Sequence, residues 1–445
     1  MADKTEKALY QQLYENIRDD ILSGKMRKGE KLPSKRSLAE SRRVSVITVE
    51  NAYSQLIAEG YVRSAQRSGY FVQYSGENLP IPAARNDVFL QNNDHADGQN
   101  EDNSGQSVGI FPFSVWTRLM RSVILEKSTA LLQPVMSGGA MELRRAVSGY
   151  LYRARGFHQP PERIIIGAGT EYLYYMLIQL LGRNKRYGIE DPGFEKLPKI
   201  YALNGVEYEH IPLDEYGMSS AVLAEKRVDI AHISPAHHFP TGIVMPITRR
   251  REIMSWAERS GGYIIEDDYD SEFHRSGRPV PSMFALDGAG RVIYVNTFSR
   301  TIAPSVRISY MCLPEELYEL WRERLGFYAC PVPAFEQYTL ARFIADGYFE
   351  RHINRSKKRY KRIRELVIGF ITCFDGVKIF EENAGLHFTA LIPENADNII
   401  QKGGECGVKI TPLEAYYTDK SQCQKGLYLV NYAGAVEEKL SELVL

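Results

Sequence analysis

Two stretches of the chain carry polar side chains of the kinds that hold a phosphorylated aromatic ring. Each stretch begins with an apolar, β-favouring run, at 263–265 in the first and at 292–295 in the second. A carboxylate can bind a protonated ring nitrogen, a phenol a ring oxygen, and hydroxyls with a guanidinium a phosphate. The side chains that could do this are Asp267, Tyr269, Thr297, Ser299, Arg300 and Arg307. The alternative is that both stretches are ordinary buried strands with polar ends.

The elements that must position these side chains are the two strands that the apolar runs predict. Runs of this kind are typical of buried strands in a parallel sheet. The polar residues follow the carboxyl ends of the strands, where open α/β sheets bind their ligands. From Gly109 onward helical and strand patterns alternate, which favours a mostly parallel sheet. Within that part, residues 138–156 predict a helix with its arginines on the outer face.

The second stretch, TFSRTIAPSVR at 297–307, resembles the T-F-S-K-x-x-x-P-x-x-R signature of the fold-type I aminotransferases, which bind pyridoxal phosphate (PLP). The lysine that forms the Schiff base in that family is Arg300 here. A guanidinium stays protonated because its pKa is above about 12. The resemblance therefore implies that Arg300 can neither hold PLP covalently nor shuttle the proton of transamination. Three roles are open to Arg300: pairing with an anionic ligand, pairing with Asp267, or filling the place of the lysine.

The resemblance extends to other residues of the family's pocket. Gly169 and Thr170 match the phosphate loop, where amides at a helix start favour a phosphate. Phe194 follows Pro-Gly, where the family has an aromatic residue that stacks on the pyridine ring. His238 precedes Pro-Thr-Gly and is a candidate for effector binding. Tyr428 stands where the family binds a substrate carboxylate with arginine, and because a phenol carries no such charge, the resemblance implies no transamination of α-amino acids.

The composition bounds the class of protein. The chain has 445 residues, a formal net charge of zero and 44% hydrophobic residues. We expect a cytoplasmic protein, because no signal peptide and no apolar run long enough to cross a bilayer is recognisable. The five cysteines are scattered and lack metal-ligand spacing. They predict reduced thiols that mostly pack, and no metal site.

Residues 1–76 carry 13 basic and 9 acidic residues and predict three helices followed by two short strands. Ser34 is a candidate N-cap of the second helix. The segments LPSKRSLAE, SVITVENAYSQLIAEGYV and SGYFV resemble the GntR family of bacterial regulators. This resemblance implies a winged helix-turn-helix whose third helix lies in the DNA major groove.

The GntR resemblance also implies which side chains meet double-stranded operator DNA, through phosphates or base edges. They are Lys35, Arg36, Arg43, Ser45, Val46, Thr48, Arg67 and Gly69. The chain departs from the family at Val46, because the family often has arginine directly after the serine that starts the helix. The alternative is a small helical domain with a solvated basic face.

The sequence divides into three parts. Residues 1–76 form the predicted DNA-binding domain, and 77–107 an acidic, polar linker that we expect to be flexible. Residues 108–445 form the predicted aminotransferase-like domain for effector binding and dimerisation. The fold class is α/β: an N-terminal winged helix-turn-helix, a large PLP-dependent-transferase-like domain of fold type I with a mostly parallel sheet, and a smaller C-terminal α+β part.

The order of these parts is similar to that of the MocR/GabR group of GntR regulators, in which the large domain senses PLP and often an amine or amino acid. The resemblance implies a transcription regulator, a small-molecule effector and a head-to-tail homodimer. PLP would bind only non-covalently, or another ligand, or none, would occupy the cavity. One alternative is a working PLP-dependent aminotransferase with an accessory DNA-binding domain, which would need another lysine. A second alternative is a dimerisation scaffold without a ligand.

Overall fold

The computed structural model describes the chain as two compact units, Met1–Gln99 and Asn100–Leu445. The predicted linker at 77–107, with both of its boundaries, lies outside the described residues. Those residues are 9–58, 61–65, 68–73, 111–273, 280–380, 385–393 and 397–444.

The first unit is built from three helices and a two-stranded sheet, as the sequence predicts. They are α1 (Leu9–Leu22), α2 (Lys35–Arg42), α3 (Val46–Ala58), β1 (Val62–Ala65) and β2 (Gly69–Val72). The strands β1 and β2 are antiparallel. Apolar side chains at helical spacing from α1 and α3 form the core, among them Leu13, Ile17, Val49 and Leu56. Ser34 caps α2 as predicted, since its hydroxyl accepts a hydrogen bond from the Ser37 amide.

The second unit alternates helices and strands as far as β10. Its helices in that part are α4 (Phe113–Glu126), α5 (Met141–Arg155), α6 (Thr170–Leu181), α7 (Lys196–Leu203), α8 (Ser220–Glu225), α9 (Ile247–Ser260) and α10 (Met283–Leu286). Its strands there are β3 (Ile164–Gly167), β4 (Tyr187–Asp191), β5 (Tyr208–Asp214), β6 (Gly217–Met218), β7 (Ile230–Ile233), β8 (Tyr263–Asp267), β9 (Val292–Thr297) and β10 (Ser309–Cys312).

These eight strands form one sheet in the order β3-β10-β9-β8-β7-β4-β5-β6. The neighbours from β9 to β5 pair in parallel, whereas β10 and β6 run antiparallel to their neighbours. The mostly parallel α/β sheet predicted from the sequence is therefore confirmed. Strands β8 and β9 lie side by side in its middle, so the polar residues that follow them share one region of the unit.

The rest of the unit is the smaller α+β part predicted at the carboxyl end. Among the described residues, five helices lead into it or support it, and four strands make an antiparallel sheet in the order β11-β12-β14-β13. The elements are α11 (Glu315–Arg324), α12 (Ala334–Ala345), α13 (Tyr348–Thr372), β11 (Lys378–Phe380), β12 (His387–Leu391), α14 (Asp397–Glu405), β13 (Lys409–Pro412), β14 (Leu427–Asn431) and α15 (Glu437–Val444). In the described ranges, no helix has the length and apolar character that a bilayer crossing needs.

The prediction that α5 carries its arginines on its outer face is wrong for two of them. Arg144 is only 7% exposed, and the side chain of Arg155 is buried. A nitrogen of the Arg155 guanidinium lies 2.7 Å from a carboxylate oxygen of Asp268, which is also buried. Helical spacing did not predict the burial of Arg155. Its partner Asp268 is more than a hundred residues away in the sequence, and a buried carboxylate needs such a partner.

Candidate functional site

A cavity in the second unit brings together eight of the nine residues predicted to hold a PLP-like ligand. Its walls come from the ends of β8 and β9, the start of α6 and the sheet containing β13 and β14. The eight residues are Thr170, Phe194, Asp267, Tyr269, Thr297, Ser299, Arg300 and Arg307. The ninth, Gly169, directly precedes α6 and packs against Arg307.

Asp267, at the end of β8, is held by neighbours that leave one of its oxygens for a ligand. Its Oδ2 accepts a hydrogen bond from the Tyr174 hydroxyl at 2.5 Å, and His232 Nε2 lies 3.9 Å from the same oxygen. Tyr201 in turn hydrogen-bonds His232 Nδ1 at 2.8 Å. Asp267 Oδ1 is buried and has no hydrogen-bond partner among the described residues. A buried acceptor of this kind needs a donor, and a protonated ring nitrogen would supply one.

The opposite end of the cavity offers donors for a phosphate. Helix α6 begins at Thr170, and its first amides lack helical partners. The buried hydroxyl of Ser299 has no hydrogen-bond partner among the residues described. Gly169 has a φ of +93°, and a Cβ there would lie 2.4 Å from an Arg307 nitrogen, so only glycine admits the guanidinium so close. The arrangement can bind a dianion.

Arg307 is positioned by its backbone and by an acidic neighbour. It is one of two described non-glycine residues with a left-handed backbone, at φ 46°. Such conformations cost about 1–3 kcal/mol and are often found at ligand sites. A guanidinium nitrogen lies 2.7 Å from Glu171, and the same carboxylate lies 3.3 Å from the Lys196 amine. The cavity rim thus holds two cations and one carboxylate.

Thr297 lines the cavity but is committed to the turn after β9. Its hydroxyl oxygen accepts hydrogen bonds from the Ser299 amide at 3.1 Å and from the Ser309 hydroxyl at 2.8 Å. It also lies 3.4 Å from the Ile308 carbonyl. Its contribution is therefore to orient the turn that presents Ser299 to the cavity.

Arg300 lines the cavity near the ring of Tyr269. It makes no hydrogen bond or ion pair with the described residues, and its guanidinium carbon lies 5.8 Å from the centre of the Tyr269 ring. Pairing with Asp267, one of its three candidate roles, is not what the structure shows. Tyr269 is half-buried, and this burial raises the pKa of its hydroxyl well above the usual value. It is a neutral donor at pH 7.

A buried cluster of His237, Asp270 and His387 lies beside Tyr269. His237 Nδ1 is 2.8 Å from Asp270 and 3.5 Å from the Tyr269 hydroxyl, and the two imidazole rings are 4.2 Å apart. The cluster has metal-binding atom types within 4.8 Å of one another, although the sequence spacing predicted no metal site. His237 Nδ1 and Asp270 Oδ2, two of the atoms that could bind a metal, already form a hydrogen bond with each other. We assign the cluster to the support of Tyr269.

The prediction that His238 binds an effector is not supported by its position. His238 is 2% exposed and lies behind the cavity, where Nδ1 contacts the Thr241 hydroxyl at 2.7 Å and Nε2 lies 3.5 Å from Glu190. Burial lowers the pKa of His238 to about 3 and raises that of Glu190, which lines the cavity, to about 8. Both groups are therefore neutral at pH 7. The sequence position of His238 predicted contact with an effector, whereas its side chain lies behind the residues that line the cavity.

Glu190 makes the stability of the second unit depend on pH. Its carboxyl group titrates at about 8 when folded and at about 4.5 otherwise, so the folded chain holds this proton more tightly. The contribution is fully present below pH 4.5 and is lost as the pH rises through 8. We expect Glu190→Gln, which can still accept the Ser234 amide hydrogen bond, to lose less stability than wild type between pH 5 and pH 8. Thermal midpoints at pH 5 and pH 8 measure this loss of stability, and Glu225→Gln on the surface is the control. Equal losses in Glu190→Gln and in wild type would contradict the prediction.

The wall formed by β13 and β14 corrects the second effector-binding prediction. Alternate residues of a strand face opposite sides. Leu429 and Asn431 line the cavity, whereas Tyr428 packs on the other face against the core of the C-terminal sheet. The residues of β14 that face the cavity are therefore Leu429 and Asn431, and neither offers a charge. Lys409, on the neighbouring strand, lines the same wall.

Sequence reasoning missed several residues of the cavity. Tyr174 lies one helical turn after Thr170, and that spacing would have placed both on one face of α6. Lys196 and Lys409 also went unnoticed, although the alternative of a working enzyme requires a lysine near the ligand. No spacing in the sequence connects Lys409 to strands β8 and β9.

In the first unit, the predicted DNA-binding residues cluster around the start of α3. Arg36 and Arg43 are exposed, Val46 is 42% exposed, and Lys35 pairs with Glu50 at 2.6 Å. Ser45 caps α3: its hydroxyl accepts the Thr48 amide hydrogen bond and lies 2.8 Å from the Thr48 hydroxyl. Gly69 begins β2 of the wing. Arg67 lies outside the described residues.

Comparisons with known proteins match both units. Residues 9–72 match the model of the family "Bacterial regulatory proteins, gntR family", and residues 98–444 match "Aminotransferase class I and II". The uncharacterized HTH-type transcriptional regulator YdeL of Bacillus subtilis is 38% identical, over 92% of this chain and 90% of its own. The probable rhizopine catabolism regulatory protein MocR of Rhizobium meliloti is 29% identical, over 98% and 92%.

A third relative and a solved structure extend the comparison. The pyridoxine biosynthesis transcriptional regulator PdxR of Corynebacterium glutamicum is 28% identical, over 91% of this chain and 88% of its own. The structure of Pyrococcus horikoshii kynurenine aminotransferase superposes with a TM-score of 0.64 at 25% identity, covering 77% of this chain and 87% of that chain.

Proposed function

The chain belongs to the aminotransferase class I and II family, among the helix-turn-helix transcriptional regulators that join such a domain to a GntR-family domain, and from this we propose that it is a ligand-sensing regulator without transaminase activity. Its ligand would be PLP or a close relative, held without a covalent bond. The observation that carries the proposal is Arg300. The anchors for a phosphorylated pyridine surround the cavity, but the residue that enters it there has a guanidinium in place of a reactive amine.

The residues present fit a phosphorylated pyridine. Asp267 Oδ1 would accept the hydrogen of the ring nitrogen, and Tyr174 and His232 hold that carboxylate in place. The start of α6, with Ser299 and Arg307, would hold the phosphate. When bound to an amine, PLP draws electrons away from the carbon that carries the amine. Arg300 cannot relay protons to or from that carbon, because its guanidinium does not deprotonate at physiological pH.

Titration of the purified full-length protein with PLP tests the sensing role. We expect saturable heat by calorimetry and no adduct after borohydride reduction. The alternative of a working enzyme gains one observation from the structure, namely that Lys196 and Lys409 line the cavity. A borohydride-stable adduct on either lysine, or transamination with any amino donor, would contradict the proposal.

DNA binding by the first unit is expected to depend on its exposed arginines. We expect Arg36→Ala and Arg43→Ala each to weaken binding to a duplex from the protein's own upstream region by about tenfold, because each removes a phosphate or base contact. A residue that contacts a phosphate also reduces the slope of log affinity against log salt by about one. Fluorescence anisotropy at several salt concentrations measures both effects.

The control for the DNA experiment is Lys25→Ala, which removes an exposed cation paired with Asp20 after helix α1. It should bind the duplex as wild type does. If Arg36→Ala and Arg43→Ala also matched wild type, the exposed start of α3 would not be the DNA-binding surface. If wild type bound no fragment of its upstream region, the regulatory function itself would be contradicted.

We also propose that the second unit forms a homodimer. The segments around residues 135 and 330 meet through a hydrogen bond from the Cys330 amide to the Val135 carbonyl. Large apolar side chains are exposed beside this contact. Met136 is 78% exposed and Phe327 is 78% exposed on either side of this contact. Exposed apolar surface of this kind favours a subunit interface. Light scattering should give twice the mass of one chain.

A further inference from the structure

Arg300 is a cation that lines the cavity and pairs with no carboxylate of the described residues. In the described part of the chain it makes no hydrogen bond and no ion pair, and its guanidinium carbon lies 5.8 Å from the centre of the Tyr269 ring. Asp267 is engaged by Tyr174 and is not its partner. A half-buried guanidinium loses part of its hydration, and this loss is offset when an anion binds.

The anchors define which part of a bound ring would face Arg300. If Asp267 holds the ring nitrogen, the ring carbon opposite that nitrogen points away from Asp267. The ring oxygen is attached to the neighbour of the carbon opposite the nitrogen. If Tyr269 holds this oxygen, the carbon opposite the nitrogen also lies on the Tyr269 side. Arg300 lies over the Tyr269 ring. The substituent on the ring carbon opposite the nitrogen is therefore the part of the ligand that meets the guanidinium.

We propose that the cavity selects a phosphorylated hydroxypyridine with a carboxylate at that position, attached directly or through a short amine linker. The inference rests on the proposed function and names its ligand class. A planar guanidinium can bind a carboxylate with two parallel hydrogen bonds. An aldehyde or alcohol offers no charge to pair with, and the ammonium group of the pyridoxamine form is repelled.

The rest of the cavity matches a ligand with two anionic groups. Arg307 and Lys196 lie at the phosphate end, and Lys409 lines the wall of β13 and β14. Of the carboxyl groups that line the cavity, Glu171 is already paired with Arg307 and Lys196, Asp267 has its Tyr174 contact, and Glu190 accepts the Ser234 amide hydrogen bond. A phosphate alone leaves Arg300 uncompensated, whereas a second anion on the same ring compensates it.

Calorimetry of the full-length protein with five compounds tests this inference. They are PLP, pyridoxine 5′-phosphate, pyridoxamine 5′-phosphate, 4-pyridoxic acid 5′-phosphate and N-(5′-phosphopyridoxyl)glycine. We expect at least one of the two carboxylates to bind at least about tenfold more tightly than pyridoxine 5′-phosphate, and pyridoxamine 5′-phosphate to bind most weakly. Whichever carboxylate binds more tightly shows whether the group is attached directly or through the linker.

The Arg300→Met variant tests the charge, because it keeps an unbranched apolar stem and removes the guanidinium. It should lose the preference for the carboxylate, so that its affinities for the carboxylates and for pyridoxine 5′-phosphate differ by no more than about twofold. Equal affinity of wild type for the alcohol and both carboxylates would overturn this inference while leaving the proposed function standing. If wild type bound none of the five compounds, the proposed function would fail. The comparison in wild type requires no variant to fold.

Discussion

The Arg300→Lys variant is expected to hold PLP through a covalent bond that borohydride makes permanent, whereas wild type releases PLP on dialysis. A lysine amine can lose its proton and attack an aldehyde, and a guanidinium cannot. The remaining anchors line the same cavity: Asp267 Oδ1 has no hydrogen-bond partner among the described residues, and Ser299 and Arg307 could hold the phosphate. The measurement is mass spectrometry of peptides after reduction, with absorbance of the intact protein as a second readout.

The Arg300→Met variant separates charge from nucleophilicity in this experiment. It should bind PLP reversibly, as wild type does, and give no adduct. If Arg300→Lys binds PLP and gives no adduct, the cavity has changed beyond this one residue and the position does not face the aldehyde. An adduct on Lys196 or Lys409 in wild type would instead favour an enzyme that has moved its reactive lysine.

Strands β8 and β9 show what the sequence can predict at this site. Their apolar runs are contiguous and end in polar residues, so both the strands and the edge that binds ligands follow from local pattern. Asp267, Tyr269 and Arg300 were placed correctly in one cavity on that basis. The information lay within a few residues of each strand end.

The residues that sequence reasoning misplaced depend on how each element packs against its neighbours. Tyr428 is one residue away from Leu429, and because side chains alternate along a strand, this offset turns it away from the cavity. His238 is close in sequence to the cavity wall, but a turn held by Thr241 places it behind Glu190. Arg155 is buried because Asp268 lies opposite it. The turn at His238 is local, whereas packing between distant segments decides which face of β14 lines the cavity and which carboxylate meets Arg155.

A ligand in the second unit can influence DNA binding only by favouring one arrangement of the protein over another. The cavity joins parts of the chain that come from different layers: β8 and β9 from the large sheet, and β13 and β14 from the C-terminal sheet. A ligand that contacts Arg300 on one side and Asn431 or Lys409 on the other would hold these layers together. The energy available for regulation is the difference in ligand affinity between the arrangements.

The Asp267→Asn variant is expected to bind PLP and its relatives about a hundredfold more weakly, since it removes a charge-assisted hydrogen bond to the ring nitrogen in a buried site. Asparagine can still accept the Tyr174 hydrogen bond, so the local fold is kept. Glu266→Gln is the matched control, because it removes the charge of a buried carboxylate one residue earlier on β8. The Glu266 carboxylate accepts hydrogen bonds from the Met283 and Phe284 amides and does not line the cavity. Calorimetry should show lost affinity in Asp267→Asn and wild-type affinity in Glu266→Gln. Equal weakening in both would mean that Asp267 acts through stability and not as the anchor of the ring.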